Sequence, residues 1–315
     1  MTYTIGVDLG GTNIAAAVVR VKDAHIISKL SVPTPVADGQ DAIAEAITLL
    51  VADLTKTSGI ASSEIARIGI GIPGTASHRD KTVIYACNLP FEQGYPIAYK
   101  VEQATGITTS ILNDADAAAY GEYVVDETHP TPFIAITLGT GVGSGVIMDG
   151  KVVSGFNGAG GELGHTTLIM GGQECGCKRR GCWEAYASAS ALVRQTEEAI
   201  RQHPDSLLAH LAEKTGTING KLPFDAAELG CSVAQKVLEQ YRMYVAEGLA
   251  NVVNIFQPEK IVIGGGISNQ GESFVGPVRE YVYQHEYNRY LSKTKIETAQ
   301  LSNDAGIIGA ALYAE

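Results

Sequence analysis

The chain has 315 residues, with 23 Lys and Arg against 34 Asp and Glu, so its formal net charge is −11. That balance excludes a broad basic face for a nucleic-acid backbone or an anionic membrane surface, and the length favours two domains at roughly 100–200 residues each. The composition holds 36 Gly and only 11 Pro, with 45% apolar and 18% charged residues. Glycine is thus about 11% of the chain against an average of about 7%, but without a G-X-Y period or a biased low-complexity tract. The excess belongs to backbone positions that need it.

The N-terminus reaches Asp8 before any long apolar run forms and has no basic segment, so it does not read as a signal peptide. No run of 18 apolar residues occurs, so no membrane span is expected and the expected location is cytoplasmic. Five cysteines make no disulfide framework, and three crowd together as Cys175, Cys177 and Cys182, a spacing that suits a metal site in a reducing compartment.

In chain order, residues 3–9, 13–21 and 25–32 read as three short strands joined by Gly-Gly and Lys-Asp turns, an antiparallel meander. Ile43, Ile47, Leu50 and Leu54 recur at helical spacing over 40–57, and 65–72 is a buried strand stopped by Pro73-Gly74. A helix over 97–105, a strand over 107–112 and a helix opening at Asp114 complete a β-β-β-α-β-α-β-α order, which predicts a mixed sheet covered by helices. The order then restarts: Ile5–Thr12 is echoed by the segment from Ile134 to Gly141, a weak internal duplication. Residues 203–225 read as a polar surface excursion, 226–256 as one long helical stretch, and 260–263 as a strand before Gly264-Gly265-Gly266. A final helix over 304–314 carries a small-residue face suited to close packing.

Three glycine turns carry the first chemical signal. At Asp8-Leu-Gly10-Gly11-Thr12-Asn13, glycines let backbone N–H groups approach phosphate, while Asp8 could hold Mg²⁺ through water; the alternative is a hairpin that needs φ > 0. The run from Leu138 through Gly139, Thr140 and Gly141 is denser in glycine, and together with Gly264–Gly266 it favours a nucleotide cradle. No Walker-type loop is present, and these turns join strand to strand where a Rossmann fingerprint must open a helix. Asp114 at a strand–helix junction is either an N-cap or a general base that takes a hydroxyl proton during phosphoryl transfer. His165, Cys175, Cys177 and Cys182, at H-x₉-C-x-C-x₄-C spacing, supply four N/S ligands for a closed, structural, tetrahedral Zn²⁺ site. Glu162 and Glu184 flank those ligands, either to accept hydrogen bonds from hydroxyls or as solvated charges.

Taken in order, D-x-G-G-T-N, Asn113-Asp114, the glycine run from 138, G-E-x-G-H and C-x-C-x₄-C-x-E resemble the ROK family of bacterial sugar kinases, above all its glucokinase-like members. The resemblance covers essentially the whole chain. It implies an α/β actin/hexokinase (ribonuclease H-like) fold, two α/β domains with mixed sheets flanking a cleft: a small one from 1–113 plus 303–315, and a large one over 114–302 with the zinc-binding loop. It assigns Asp8, Gly10, Gly11, Thr12, Asn13, Gly139, Thr140 and Gly141 to the ATP phosphates and Gly265 and Gly266 to the adenosine side. Asp114 matches the catalytic base, and Asn113, Glu162, His165 and Glu184 match residues that hold sugar hydroxyls, with Gly74 and Asn88 in loops that touch sugar. His165 would have one ring nitrogen on zinc and the other towards sugar. One departure is Lys178, where the family has Gly after its second Cys; Lys178, Arg179 and Arg180 read as a solvated loop tip.

The expected activity is therefore an ATP- and Mg²⁺-dependent hexose kinase acting on O6 of glucose, in a homodimer, with no nucleic-acid or membrane partner. N-acetylmannosamine, N-acetylglucosamine, fructose and allose are the alternative substrates. A sugar-responsive repressor is disfavoured because only seven residues precede Asp8 and the chain is acidic, and a non-catalytic sugar-binding module would release no ADP.

Overall fold

Ile5, Val7 and Leu9 of β1 (Tyr3–Leu9) and Ile14, Ala16 and Val18 of β2 (Asn13–Arg20) lie at alternate positions in one apolar core, while Ala17 and Val19 pack with Ile307 and Ala311 on the other face, so the sheet is covered on both sides. The computed structural model describes residues 2–86, 88–288 and 290–313. β1, β2 and β3 (His25–Pro33) form the antiparallel meander. α1 (Gln40–Ser58) buries Ile43, Ile47, Leu50 and Leu54 and stops at Gly59 in the left-handed conformation. β4 (Ile65–Ile72) then pairs in parallel with β1. A hairpin that periodicity did not reveal follows, β5 (Thr75–Ser77) and β6 (Thr82–Tyr85), because strands of three and four residues are too short to carry a pattern. α2 (Ile97–Thr105), β7 (Thr109–Asn113) and α3 (Asp114–Val125) complete the first half, giving the strand order β3-β2-β1-β4-β7.

The second half repeats the theme with β8 (Phe133–Leu138), β9 (Val142–Met148) and β10 (Lys151–Val152), followed by α4 (Glu184–Ala187) and α5 (Ala189–Gln202). The stretch 203–225 is not irregular: it holds α6 (Leu207–Thr215) and the start of α7 (Leu222–Glu228), whose Leu208, Leu222 and Ala226 form a small apolar cluster with Cys231 and Ala234. Nor is 226–256 one helix, since Gly230 at φ +84° separates α7 from α8 (Ser232–Phe256). β11 (Lys260–Gly264), α9 (Glu272–His285), β12 (Lys295–Thr298) and α10 (Ala305–Leu312) end the chain. The second sheet is ordered β10-β9-β8-β11-β12, the same meander-then-two-strands arrangement as the first, which bears out the internal duplication. No helix among the described residues is long and apolar enough to cross a membrane.

By compactness the chain divides into one unit of Met1–Ala135, Gly145–Gly161 and Leu301–Glu315 and a second of Ile136–Ser144 and Glu162–Gln300. These bounds differ from a division at 113 and 303, because α3 packs directly on α10. Gly309 and Gly121 let the two backbones meet: a Cβ at Gly309 would overlap the Ala117 carbonyl, and one at Gly121 the Ala305 carbonyl. The small-residue face of α10 also seats on the first sheet, where Gly6 and Gly69 face the carbonyls of Ile307 and Ala310.

Candidate active site

In the first unit the β1–β2 turn is braced from β3: Thr34 donates its backbone N–H to Thr12 O (2.9 Å) and its hydroxyl to Gly10 O (2.7 Å). Neither Gly10 nor Gly11 has positive φ, so the turn does not need glycine for conformation. A Cβ on Gly11 would meet nothing within 4 Å, and Gly11, Thr12 and Asn13 are exposed. Neither the backbone conformation nor the packing therefore demands glycine at position 11. Asp8, half-buried at the end of β1, lies against the first turn of α10, where a Cβ on Gly306 would sit 3.5 Å from its carboxyl carbon. Burial raises the Asp8 pKa above the ordinary aspartate value, opposed by the charge of Lys29, which itself ion-pairs with Asp304. Lys29 and Asp304 were not marked by any motif; they are 275 positions apart and meet only in the fold.

At the strand–helix junction the N-cap of α3 is Asn113 and not Asp114. Asn113 makes the cap: its Oδ1 accepts from Ala115 N (2.8 Å) and Asp116 N (3.0 Å), an arrangement typically worth about 1 kcal/mol. Its Nδ2 donates to Gly74 O at 2.8 Å, which ties the junction to the loop that opens the β5–β6 hairpin. Gly74 is held at φ +113° with its Cα against Tyr85 and Ala86, so no other residue fits there. Asp114, the first residue of α3, accepts from Ala115 N through Oδ1 at 2.8 Å. Asn88 lies exposed beyond the hairpin.

In the second unit the ligand atoms of His165, Cys175, Cys177 and Cys182 all lie within 4.8 Å of one another. His165 Nδ1 is 3.6 Å from Cys175 Sγ, and the sulfurs of Cys177 and Cys182 are 3.7 Å apart. With Zn–S of ~2.3 Å and Zn–N of ~2.0–2.1 Å, a tetrahedron has S···N and S···S edges of about 3.6 and 3.7 Å, so the donor set is compatible with zinc in chemistry and these two distances match its edges. The hairpin carrying the sulfurs is closed by Cys175 N donating to Arg179 O (2.9 Å) and Gly181 N to Gln173 O (2.7 Å). Trp183, fully buried, anchors it to α8 through Nε1 to Tyr244 O (2.9 Å), its indole lying where Gly248 has no side chain. Lys178, the departure from the family box, stands at φ +71°, in the left-handed region that glycine adopts without cost.

The same hairpin meets the second glycine turn. Glu184 Oε2 accepts from Val142 N at 3.0 Å, and the carboxylate occupies the space that a side chain on Gly141 would fill. Its other oxygen accepts from the Cys175 thiol at 3.2 Å and lies 4.0 Å from His165 Nδ1. Glu162 precedes the short turn Leu163–His165, which is fixed by Leu163 N donating to Ser144 Oγ at 3.0 Å. Burial raises the Glu162 pKa, the charge of His165 lowers it, and Glu184 raises it further. Ser144 went unmarked in the sequence, although its place inside the glycine run was the available signal. Gly139, with no positive φ and open space around its Cβ position, repeats the case of Gly11, and so does Gly266. Gly265 differs, since it is held at φ +86° with a Cβ position that would overlap Leu138. Thr140 is exposed beside Gly141.

Lys178, Arg179 and Arg180 are exposed, as a solvated loop tip is, and the two arginines also make hydrogen bonds. Arg179 donates from NH1 to His165 O (2.9 Å) and from NH2 to Thr167 Oγ1 (3.2 Å), while Arg180 Nε reaches Gly171 O at 3.4 Å.

A sequence model of the ROK family matches residues 4–315. A glucokinase of Streptomyces coelicolor is 37% identical over 322 residues, which cover 99% of this chain and 97% of that one. An N-acetylmannosamine kinase of Citrobacter koseri is 30% identical over 312 residues, covering 99% and 98%. Among solved structures, a ROK family glucokinase from Streptomyces griseus in complex with glucose and AMPPNP aligns with a TM-score of 0.82 at 35% identity, covering 98% of each chain.

Proposed function

The chain belongs to the ROK family, with its hexokinase-like fold of mixed sheets and helices, and from that premise we propose that it is an ATP-dependent hexose kinase that phosphorylates glucose at O6. The observation that carries the proposal is the arrangement at the 113–114 junction: Asn113 caps α3, and Asp114 is the first residue of that helix, with Oδ1 accepting from Ala115 N at 2.8 Å. A carboxylate suffices as the base, because in a loose phosphoryl-transfer transition state the hydroxyl proton leaves late.

The remaining roles are assigned by the family resemblance. Asn113, whose amide has a second hydrogen beyond the one given to Gly74, joins Gly74, Asn88, Glu162, His165 and Glu184 in binding the sugar hydroxyls. Gly11, Thr12, Asn13, Thr140 and Gly141 would present N–H and hydroxyl donors to the ATP phosphates, Gly10 and Gly139, whose own N–H groups donate to Asn13 O and Gly141 O at 3.0 Å, would let the phosphates approach the two turns, and Gly265 and Gly266 would line the adenosine side. Asp8 would hold Mg²⁺ through its water shell; that ion, arriving with the nucleotide, neutralises the charge on the phosphates. His165, Cys175, Cys177 and Cys182 would hold Zn²⁺, whose part is structural because the four ligands leave it no open position.

A coupled ADP-release assay over glucose, N-acetylmannosamine, N-acetylglucosamine, fructose and allose tests the substrate, with glucose expected to have the highest kcat/KM. The Citrobacter koseri relative makes N-acetylmannosamine the second reading, and a preference above about tenfold for an N-acetyl sugar overturns the first. For Asp114→Asn we expect kcat to fall by about 10²–10⁴-fold with the thermal shift caused by sugar retained; wild-type turnover removes Asp114 from the base role.

A further inference from the structure

We propose that Arg179 is a positioning residue for sugar binding, holding the His165 ring in register by gripping the backbone of the same residue. The proposal rests on the hexose-kinase reading, in which His165 meets the sugar. His165 is attached to the metal hairpin twice. Its ring Nδ1 faces Cys175 Sγ at 3.6 Å, and its carbonyl oxygen accepts from Arg179 NH1 at 2.9 Å. The second guanidinium nitrogen donates to Thr167 Oγ1 at 3.2 Å, so the planar fork spans residues 165 and 167 in one grip.

The backbone of Arg179 is fixed, because its carbonyl accepts from Cys175 N at 2.9 Å within the hairpin turn, and its guanidinium is held by the bonds to His165 O and Thr167 Oγ1. Among the described residues no carboxylate pairs with it, so the guanidinium is committed to these two oxygens and not to a surface ion pair. The consequence is directional. A ring held only through Nδ1 can still pivot about that contact as the backbone at 165 turns, and the second ring nitrogen would sweep with it. The peptide between residues 165 and 166 is held on its N–H side by Thr166 N donating to Leu163 O at 3.0 Å, and the Arg179 bond holds its carbonyl side, which leaves the second nitrogen pointing one way. Glu162 shares the benefit, since His165 N donates to Glu162 O at 3.1 Å and the two residues move as one turn.

The test is steady-state kinetics and metal content of the full-length protein as Arg179→Ala, Arg179→Lys and Thr167→Val. Arg179→Ala is expected to raise the sugar KM about fivefold or more, leaving the ATP KM and the zinc content per chain unchanged. Arg179→Lys, a point donor that reaches one acceptor, and Thr167→Val, which removes one acceptor, are expected to lie between that variant and the wild type. An Arg179→Ala enzyme with unchanged sugar KM overturns the proposal. So does one whose sugar KM rises only together with zinc loss or a raised ATP KM, because that pattern belongs to a hairpin that has come apart. Failure of the kinase reading is distinguishable, since it shows first in the unsubstituted protein as absence of turnover on every hexose and takes this proposal with it.

Discussion

Lys178 carries a backbone conformation that glycine would carry more cheaply. The left-handed region costs an L-residue about 1–2 kcal/mol, and the extra freedom of glycine in the unfolded chain takes back up to about 1 kcal/mol of any gain. Lys178→Gly should therefore stabilise the metal-loaded protein by about 0.5–1 kcal/mol in urea unfolding, with unchanged kinetics; a loss of stability would mean that the lysine side chain has a role of its own. Asp8 makes a second prediction, about pH. Because burial raises its pKa in the folded state, the folded chain holds this proton more tightly than the unfolded chain does. The associated stability is fully present below the unfolded aspartate value, about 3.9, and is lost as pH rises through the folded value. Asp8→Asn is accordingly expected to raise Tm of the nucleotide-free protein at pH 8, with the gain shrinking as pH falls, while turnover is lost. A Tm gain that grows towards acid pH would reverse the assigned sign. Gly11 and Gly139 separate folding from function in the same way: with open space at their Cβ positions, alanine at either should leave stability within about 0.5 kcal/mol. The ATP KM should rise, and an unchanged one removes that turn from the nucleotide site.

At the scale of elements, α3 and α10 show how far small residues decide the packing. A methyl at Gly309 would overlap the carbonyl of Ala117, which is backbone and cannot turn aside, so Gly309→Ala must separate the two helices. We expect about 3 kcal/mol or more of destabilisation, at or above the usual range for overpacking, read as a lowered denaturation midpoint. An alanine tolerated there would show the helices free to slide. The strands β1 to β4 and the helix α1 were legible because buried Ile, Val and Leu recur at two or three-to-four residue spacing in elements long enough to show a period. The β5–β6 hairpin was not, at three and four residues, and α6 with the first turn of α7 was hidden because polar residues dominate a segment whose apolar positions serve only a small cluster of their own. The break between α7 and α8 was written at Gly230, a signal outweighed by the apolar spacing on either side.

For the whole molecule, the legible part of the candidate site was what lies close in sequence: the turn at 8–13, the 113–114 pair and the metal box. The partnerships that orient those residues were not legible, because Lys29 with Asp304, Ser144 with Leu163 and Asn113 with Gly74 are chosen by topology and no local pattern records them. That distinction predicts what metal removal does. The four ligands, the Arg179 grip on His165 and the Glu184 bond to Val142 all belong to one hydrogen-bonded assembly in the second unit. The β1–β2 turn, braced by Thr34 from β3, belongs to the first. Stripping the metal with a chelator should therefore abolish the thermal shift caused by glucose and lower Tm, because the hairpin loses the centre that holds its three sulfurs and His165 together. Thermal shifts by MgATP through the first unit's turn should be diminished less than those by glucose, and zinc added back should restore both. If the chelated protein still binds glucose as before, the hairpin holds its shape by hydrogen bonds alone, and the metal is dispensable to the sugar site.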